Sequence, residues 1–215
     1  MSAVACPACR SPFRGGTRRL PCGQSVARCQ ACGLLFAIER DDSTARPESD
    51  LSRAALEAAL ARLERYTRLG RLLNLGPGAA LEPATARGWE TRGAAPSALA
   101  PLLDDSFDAV TLLEVLEGVR DPLALASEVA RVLAPGGALL VMTPWLGCLG
   151  QRVAGARWRH FRRGNLQYFS TRALRALLVS VGLEWRWHGR APAPPAGEML
   201  AMAVKPPFAT ITQPK

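Results

Sequence analysis

From residue 71 onward the chain alternates short apolar runs with amphipathic stretches. Residues 72–75 form an apolar run that breaks at Gly76-Pro77-Gly78. Residues 79–87 are helix-like, with Pro83 inside them, and residues 89–93 can form a strand. Phe107–Leu113 is a clearer strand. Residues 122–133 place apolar side chains at helical spacing behind a proline in the first turn. Pro135-Gly136-Gly137 reads as a turn and residues 138–142 as a buried strand. Residues 171–181 form a helix closed by Gly182, and residues 183–189 a last strand. This alternation predicts an open, mostly parallel, Rossmann-like α/β sheet. Upstream, Leu56, Leu60, Leu63 and Tyr66 form one apolar stripe. They predict a helix over about 51–69, capped by Asp50 and ended by Gly70. Residues 191–215 carry Pro192, Pro194, Pro195, Pro206 and Pro207 and read as an extended tail. Within it, residues 199–204 can add an edge strand.

The first 38 residues follow neither period; cysteine spacing organises them instead. Cys6-Pro-Ala-Cys9 and Cys29-Gln-Ala-Cys32-Gly33 are two knuckles at ribbon spacing. A two-residue gap lets both thiolates of a knuckle face one ion, and Gly33 permits the tight turn that follows. Four thiolates close a tetrahedral sphere, so a structural zinc on Cys6, Cys9, Cys29 and Cys32 is expected. The alternative is a pair of disulfides or redox dithiols, which a chain without an export signal disfavours. Cys22 lies between the knuckles, next to Pro21 and Gly23, and reads as part of a ribbon turn. Cys148 reads as a small apolar residue. The organisation expected is a ribbon at 1–38, a linker and helix at 39–70, an α/β core at 71–190 and a tail at 191–215.

Composition changes this picture only through where the charge falls. The 215 residues carry a formal charge of +9, and 48% are hydrophobic, which excludes wholesale disorder. Residues 1–33 carry five arginines and no acid, and residues 151–190 carry nine arginines against Glu184 alone. The stretch between them is net acidic. Within 152–175, arginines interleave with Trp158, Phe161, Tyr168 and Phe169, a pattern that suits an acidic protein or nucleic acid. No membrane span or export signal is visible, and a cytoplasmic protein is expected.

Residues 71–78, 106–113, 115–122 and 131–140 resemble class I S-adenosylmethionine-dependent methyltransferases. Segment 158–170, ending Leu166-Gln167-Tyr168-Phe169-Ser170, is similar to a bacterial subgroup that carries an N-terminal zinc ribbon. The resemblance implies S-adenosylmethionine as cofactor and methyl transfer to an unknown acceptor. It implies a cofactor site drawn from Asn74, Gly76, Gly78, Asp105 and Glu117. Several family positions differ. Asn74 replaces an aspartate, Ala80 replaces the third glycine, where its methyl would crowd the cofactor, and Ala95 replaces the acid that holds the ribose hydroxyls. Gly118 and Asn165 stand where the family often has histidine, and Gly164 where it has an acid, so no catalytic residue is assigned. His160 reads as an ordinary loop residue. Residues 95–106 are too few for a helix, a third strand and a return loop, so that strand is expected to be missing or reduced. Two functions follow: a methyltransferase, or a non-catalytic relative that binds an acidic partner or nucleic acid through the ribbon and residues 152–175.

Overall fold

The computed structural model describes residues 5–39, 52–76, 78–191 and 197–207. The ribbon contributes β1 (Thr17–Arg19), β2 (Ser25–Arg28) and β3 (Leu35–Ala37). The core follows with α1 (Arg53–Leu63), β4 (Arg71–Asn74), α2 (Leu81–Ala86), β5 (Glu90–Gly93) and β6 (Phe107–Leu113). Next come α3 (Pro122–Val132), β7 (Leu133–Pro144), α4 (Leu149–Ala154), β8 (Gln167–Tyr168), α5 (Thr171–Ser180), β9 (Glu184–Arg190) and β10 (Glu198–Val204).

Six strands form the central sheet in the order β5-β4-β6-β7-β10-β9. The pairings β4·β5, β4·β6 and β6·β7 are parallel, and β10 alone runs antiparallel to its neighbours. Helices cover both faces because the inner strands β4, β6, β7 and β10 are apolar on both. Leu72, Ala109, Leu113, Leu140 and Met142 pack in one cluster with Leu56, Leu60 and Leu63 of α1 and Ala84 of α2. Leu73, Val110, Leu112, Leu139 and Val141 pack in the other with Leu125 and Val129 of α3 and Leu174 and Leu177 of α5. The helix starts are set locally. Ser52, Asp121 and Ser170 accept hydrogen bonds from the amides of Ala55, Ala124 and Ala173.

The expected parallel α/β sheet is present, and β5 is its edge. Between Gly93 and Phe107 the chain makes one 3-10 turn, Pro96–Ala98, and no strand. The third strand is therefore absent, as the short crossover requires. Two expectations need correction. Residues 198–204 are not an edge strand in a tail: β10 is buried throughout and lies between β7 and β9. Its Leu, Met, Ala and Val side chains fill both faces, so the core extends well past residue 190. The helix over 51–69 ends at Leu63, and Glu64 turns to hydrogen-bond Arg87 and Trp89. Asp50 lies outside the described residues, and Ser52 makes the cap. Residues 149–154 add the short helix α4, which the apolar pattern did not predict.

The ribbon is not a separate bead. Its sheet runs β1-β2-β3-β8, so a strand from the core completes it. Leu35 pairs with Tyr168 and Phe36 with Gln167. Phe36, Leu34 and the cysteines share one continuous apolar cluster with α3 and α5.

Candidate functional site

Each knuckle is shaped by backbone hydrogen bonds that turn its thiols inward. The Cys6 amide donates to Ser11 O and the Arg10 amide to Cys6 O, both at 2.9 Å. In the second knuckle the Cys29 amide donates to Leu34 O at 2.8 Å and the Gly33 amide to Cys29 O at 2.9 Å. Gly33 takes a φ of +84°, the left-handed turn that a glycine there permits. The four sulfurs of Cys6, Cys9, Cys29 and Cys32 all lie within 4.8 Å of one another. Cys6 and Cys32 stand 3.6 Å apart, as do Cys9 and Cys29. A tetrahedral zinc with bonds of about 2.3 Å needs sulfurs about 3.8 Å apart, so the donor set fits that ion. All six cysteines are free. The Cys6–Cys32 contact lowers the Cys6 thiol and, with burial, raises that of Cys32, so the pair favours sharing one proton. Cys22 is not in the cluster; it packs beside Leu20, Phe161 and Tyr168.

Beside the ribbon–core contact, where the Leu166 amide donates to Glu117 O, the carboxyl ends of β4, β6 and β7 converge. The chain leaves β4 for β5 on one side and returns to β6 on the other, so the crevice between β4 and β6 is the topological switch point. Asn74 is buried there. Its Oδ1 accepts from Thr111 Oγ1 at 2.8 Å and from the Gly76 amide at 3.4 Å, while its Nδ2 donates to Gly76 O at 3.2 Å. Asn74 thus shapes the turn. A Cβ on Gly76 would lie 2.7 Å from Leu113 O, so the glycine is required by close packing on β6. A Cβ on Gly78 would meet nothing within 4 Å, leaving that backbone open to approach. Ala80 is buried in the cluster with Leu56 and Leu60.

Glu117 is fully buried at the same end, and Thr143 Oγ1 donates to its Oε2 at 3.0 Å. Beside it the structure adds two carboxyl groups that the sequence reading did not include. Glu114 follows β6 with a φ of +55°, and Glu198 opens β10 opposite Pro144. The two carboxyl groups are hydrogen-bonded to each other. Burial and Glu114, then Glu117, push the Glu198 carboxyl up to about 7, against the pull of Arg159 at 3.8 Å. His160 is buried nearby; Arg159 Nε donates to its Nε2 at 3.0 Å. Burial, then Arg159 and Arg162, lower it to about 4, so it is neutral at pH 7. Asp105 does not join this site. It precedes β6, at the amino end of the strand, and forms an ion pair with Lys205 at 2.6 Å.

The raised Glu198 carboxyl makes stability depend on pH. The folded chain holds a proton there between about pH 4.5 and 7 that the unfolded chain has released. Stability therefore falls as pH rises through that window and levels off above it. Glu198→Gln should have little effect at pH 5 and stabilise the protein at pH 8, by a difference on the order of 3 kcal/mol or less. Urea unfolding of both proteins at the two pH values checks this; an unchanged gap between them would refute it.

A methyltransferase-type sheet with open carboxyl ends, joined to a four-thiol ribbon, is the class of protein these features define. The methyltransferase-domain family matches residues 47–186, and the chain belongs to that family. The ubiquinone biosynthesis O-methyltransferase of Xanthomonas campestris is 55% identical over 38 residues. That match takes in 18% of this chain and 16% of the enzyme's length. Among solved structures, the 1,6-didemethyltoxoflavin-N1-methyltransferase of Burkholderia thailandensis, with S-adenosylhomocysteine bound, aligns with a TM-score of 0.55. It is 16% identical, over 89% of this chain and 100% of that one. The YcgJ protein of Bacillus subtilis aligns with a TM-score of 0.51 at 15% identity, over 72% of this chain and 99% of its own. At such identities the likeness is one of fold. No helix among the described residues is long and apolar enough to cross a membrane.

Proposed function

We propose that the chain transfers a methyl group from S-adenosylmethionine to an acceptor held at the carboxyl ends of β6 and β7. The observation that carries this is the turn at the switch point. Gly76 packs against β6, Asn74 ties the turn, and the Gly78 backbone faces open space. Such a crevice is where open α/β sheets hold their cofactors. When bound, S-adenosylmethionine supplies an electrophilic methyl group. The chain's own residues orient, and they store a proton between Glu114 and Glu198 at the acceptor end. Neutral His160 contributes a hydrogen-bond acceptor that Arg159 already occupies. An acceptor that is already nucleophilic needs little beyond proximity and orientation. The ribbon's zinc is structural, held by Cys6, Cys9, Cys29 and Cys32, and we place the protein in the cytoplasm, where such thiols stay reduced.

Calorimetric titration with S-adenosylmethionine and S-adenosylhomocysteine tests the reading. Saturable binding of both is the expected result; no binding at millimolar cofactor would overturn it. The second reading, a non-catalytic binding module for an acidic protein or nucleic acid, draws its support from exposed Ala95, which leaves no carboxylate at the end of β5.

A further inference from the structure

The arginines around the ribbon divide into two sets. One set joins ribbon to core. Arg10 pairs with Asp121 at 2.5 Å, Arg163 donates to Cys22 O at 3.1 Å, and Arg172 donates to Ala31 O at 2.8 Å. The other set has no ion pair among the described residues, and its focus is Arg18 and Arg28.

Register explains their position. Arg18 lies opposite Val26, and Arg28 lies opposite Leu35. Val26 and Arg28 are two residues apart on β2, so all four side chains share one sheet face. That face looks across at Leu146 and Phe161, and a groove of about 310 Å³ runs between them. Its lining is Val26, Leu35, Leu146 and Phe161 below, with Arg18, Arg28 and Gln151 among the rest and no acidic residue. β1, which carries Arg18, is the outer strand of its sheet and is exposed along its whole length. Beyond the groove, α4 presents Leu149 and Val153 to solvent with Arg152.

We propose that this groove is a docking site for an acidic peptide segment of a partner protein, carrying aliphatic side chains between its carboxylates. The aliphatic groups would enter the apolar floor, and the carboxylates would meet Arg18 and Arg28, whose planar forks suit bidentate pairing. The open edge of β1 lets an extended segment add backbone hydrogen bonds. Nucleic acid fits less well. Trp158, Tyr168 and Phe169 are buried and line no part of the groove, and Phe161, the one ring on its floor, is only 8% exposed, too little for a base to stack on. The proposal stands apart from methyl transfer, since the groove shares no residue with the Asn74–Gly78 crevice.

The test is fluorescence anisotropy on the full, zinc-loaded chain. The probe is a labelled peptide of about ten residues in which Glu and Asp alternate with Val and Leu. An all-acidic peptide without aliphatic residues and a single-stranded oligothymidylate serve as comparisons. The mixed peptide should bind best, weaken as salt is raised, and lose about tenfold or more in affinity to the Arg18→Ala, Arg28→Ala double variant. Zinc content and melting temperature of that variant should match the parent. Absence of mixed-peptide binding, indifference to the double substitution, or stronger binding of either comparison probe would each overturn the proposal.

Discussion

Removing one zinc ligand, by Cys6→Ser, should unfold the ribbon while the α/β core remains. The ribbon's own apolar content is small. Ala8, Leu20, Val26, Ala27, Leu34, Phe36 and Ala37 are its buried apolar residues besides the thiols, too few to hold some thirty residues without a cross-link. A structural zinc is worth an apparent 10–16 kcal/mol or so at neutral pH, far above what those side chains contribute. The effect should not stop at the ribbon, because β3 holds β8. The Ala37 amide donates to Leu166 O at 2.8 Å, and Gln24 bonds both Asn165 O and the Tyr168 hydroxyl at 3.0 Å. Residue 166 in turn donates to Glu117 O, and Gln167 donates to Val119 O. Loss of the metal should therefore free the segment that closes over the acceptor end. Metal analysis should find one zinc per chain in the parent and none in Cys6→Ser. Hydrogen exchange should show lost protection at 35–37 and 166–169, with β6 and β7 still protected. Full zinc content in the variant would refute the ligand set. A melted ribbon with 166–169 still protected would refute the coupling.

What the sequence made legible and what it hid follow from contact distance along the chain. The knuckle spacing was readable because one ion imposes it on two short turns. The core sheet was readable because each strand sits beside its helix in sequence. The absence of a third strand was readable because the gap between Gly93 and Phe107 sets a physical ceiling. β10 was misread because prolines flank it on both sides and its apolar run is short; only pairing with β7 and β9 shows it to be central. The Glu114–Glu198 contact had no local signal at all. It exists because β10 runs antiparallel and delivers its first residue to the carboxyl end of β7. Asp105 was assigned to the cofactor site by resemblance, yet it stands two residues before β6 and so at that strand's amino end. The arginine–aromatic interleaving of 152–175 was real as sequence, but burial separates its members: the rings pack inward and the arginines remain outside.

Ala95→Asp should tighten S-adenosylhomocysteine about tenfold to a hundredfold. Residue 95 lies just past β5, beside the turn that follows β4; the Ala94 amide donates to Asn74 O at 3.0 Å. It is exposed, with an extended backbone, and caps the 3-10 turn Pro96–Ala98 without a side-chain hydrogen bond. Aspartate is well tolerated in that setting, since its carboxylate can accept from the free amides of the turn. Relatives are expected to hold the ribose hydroxyls with an acid at this position. Each charge-assisted hydrogen bond restored there is worth about 1.5–3 kcal/mol. One such bond gives the stated range. Ala95→Asn, neutral but of the same shape, should recover a smaller part of the gain. Calorimetry with S-adenosylhomocysteine reads all three proteins, and thermal melting without ligand separates affinity from stability. An unchanged affinity in a folded Ala95→Asp protein would mean that no ribose lies at the end of β5, and the crevice between β4 and β6 could not then be holding the cofactor in the manner proposed. A gain for Asp over Asn would show that the crevice is intact and that a single missing carboxylate limits it, which separates a weakened enzyme from a fold that has lost its ligand.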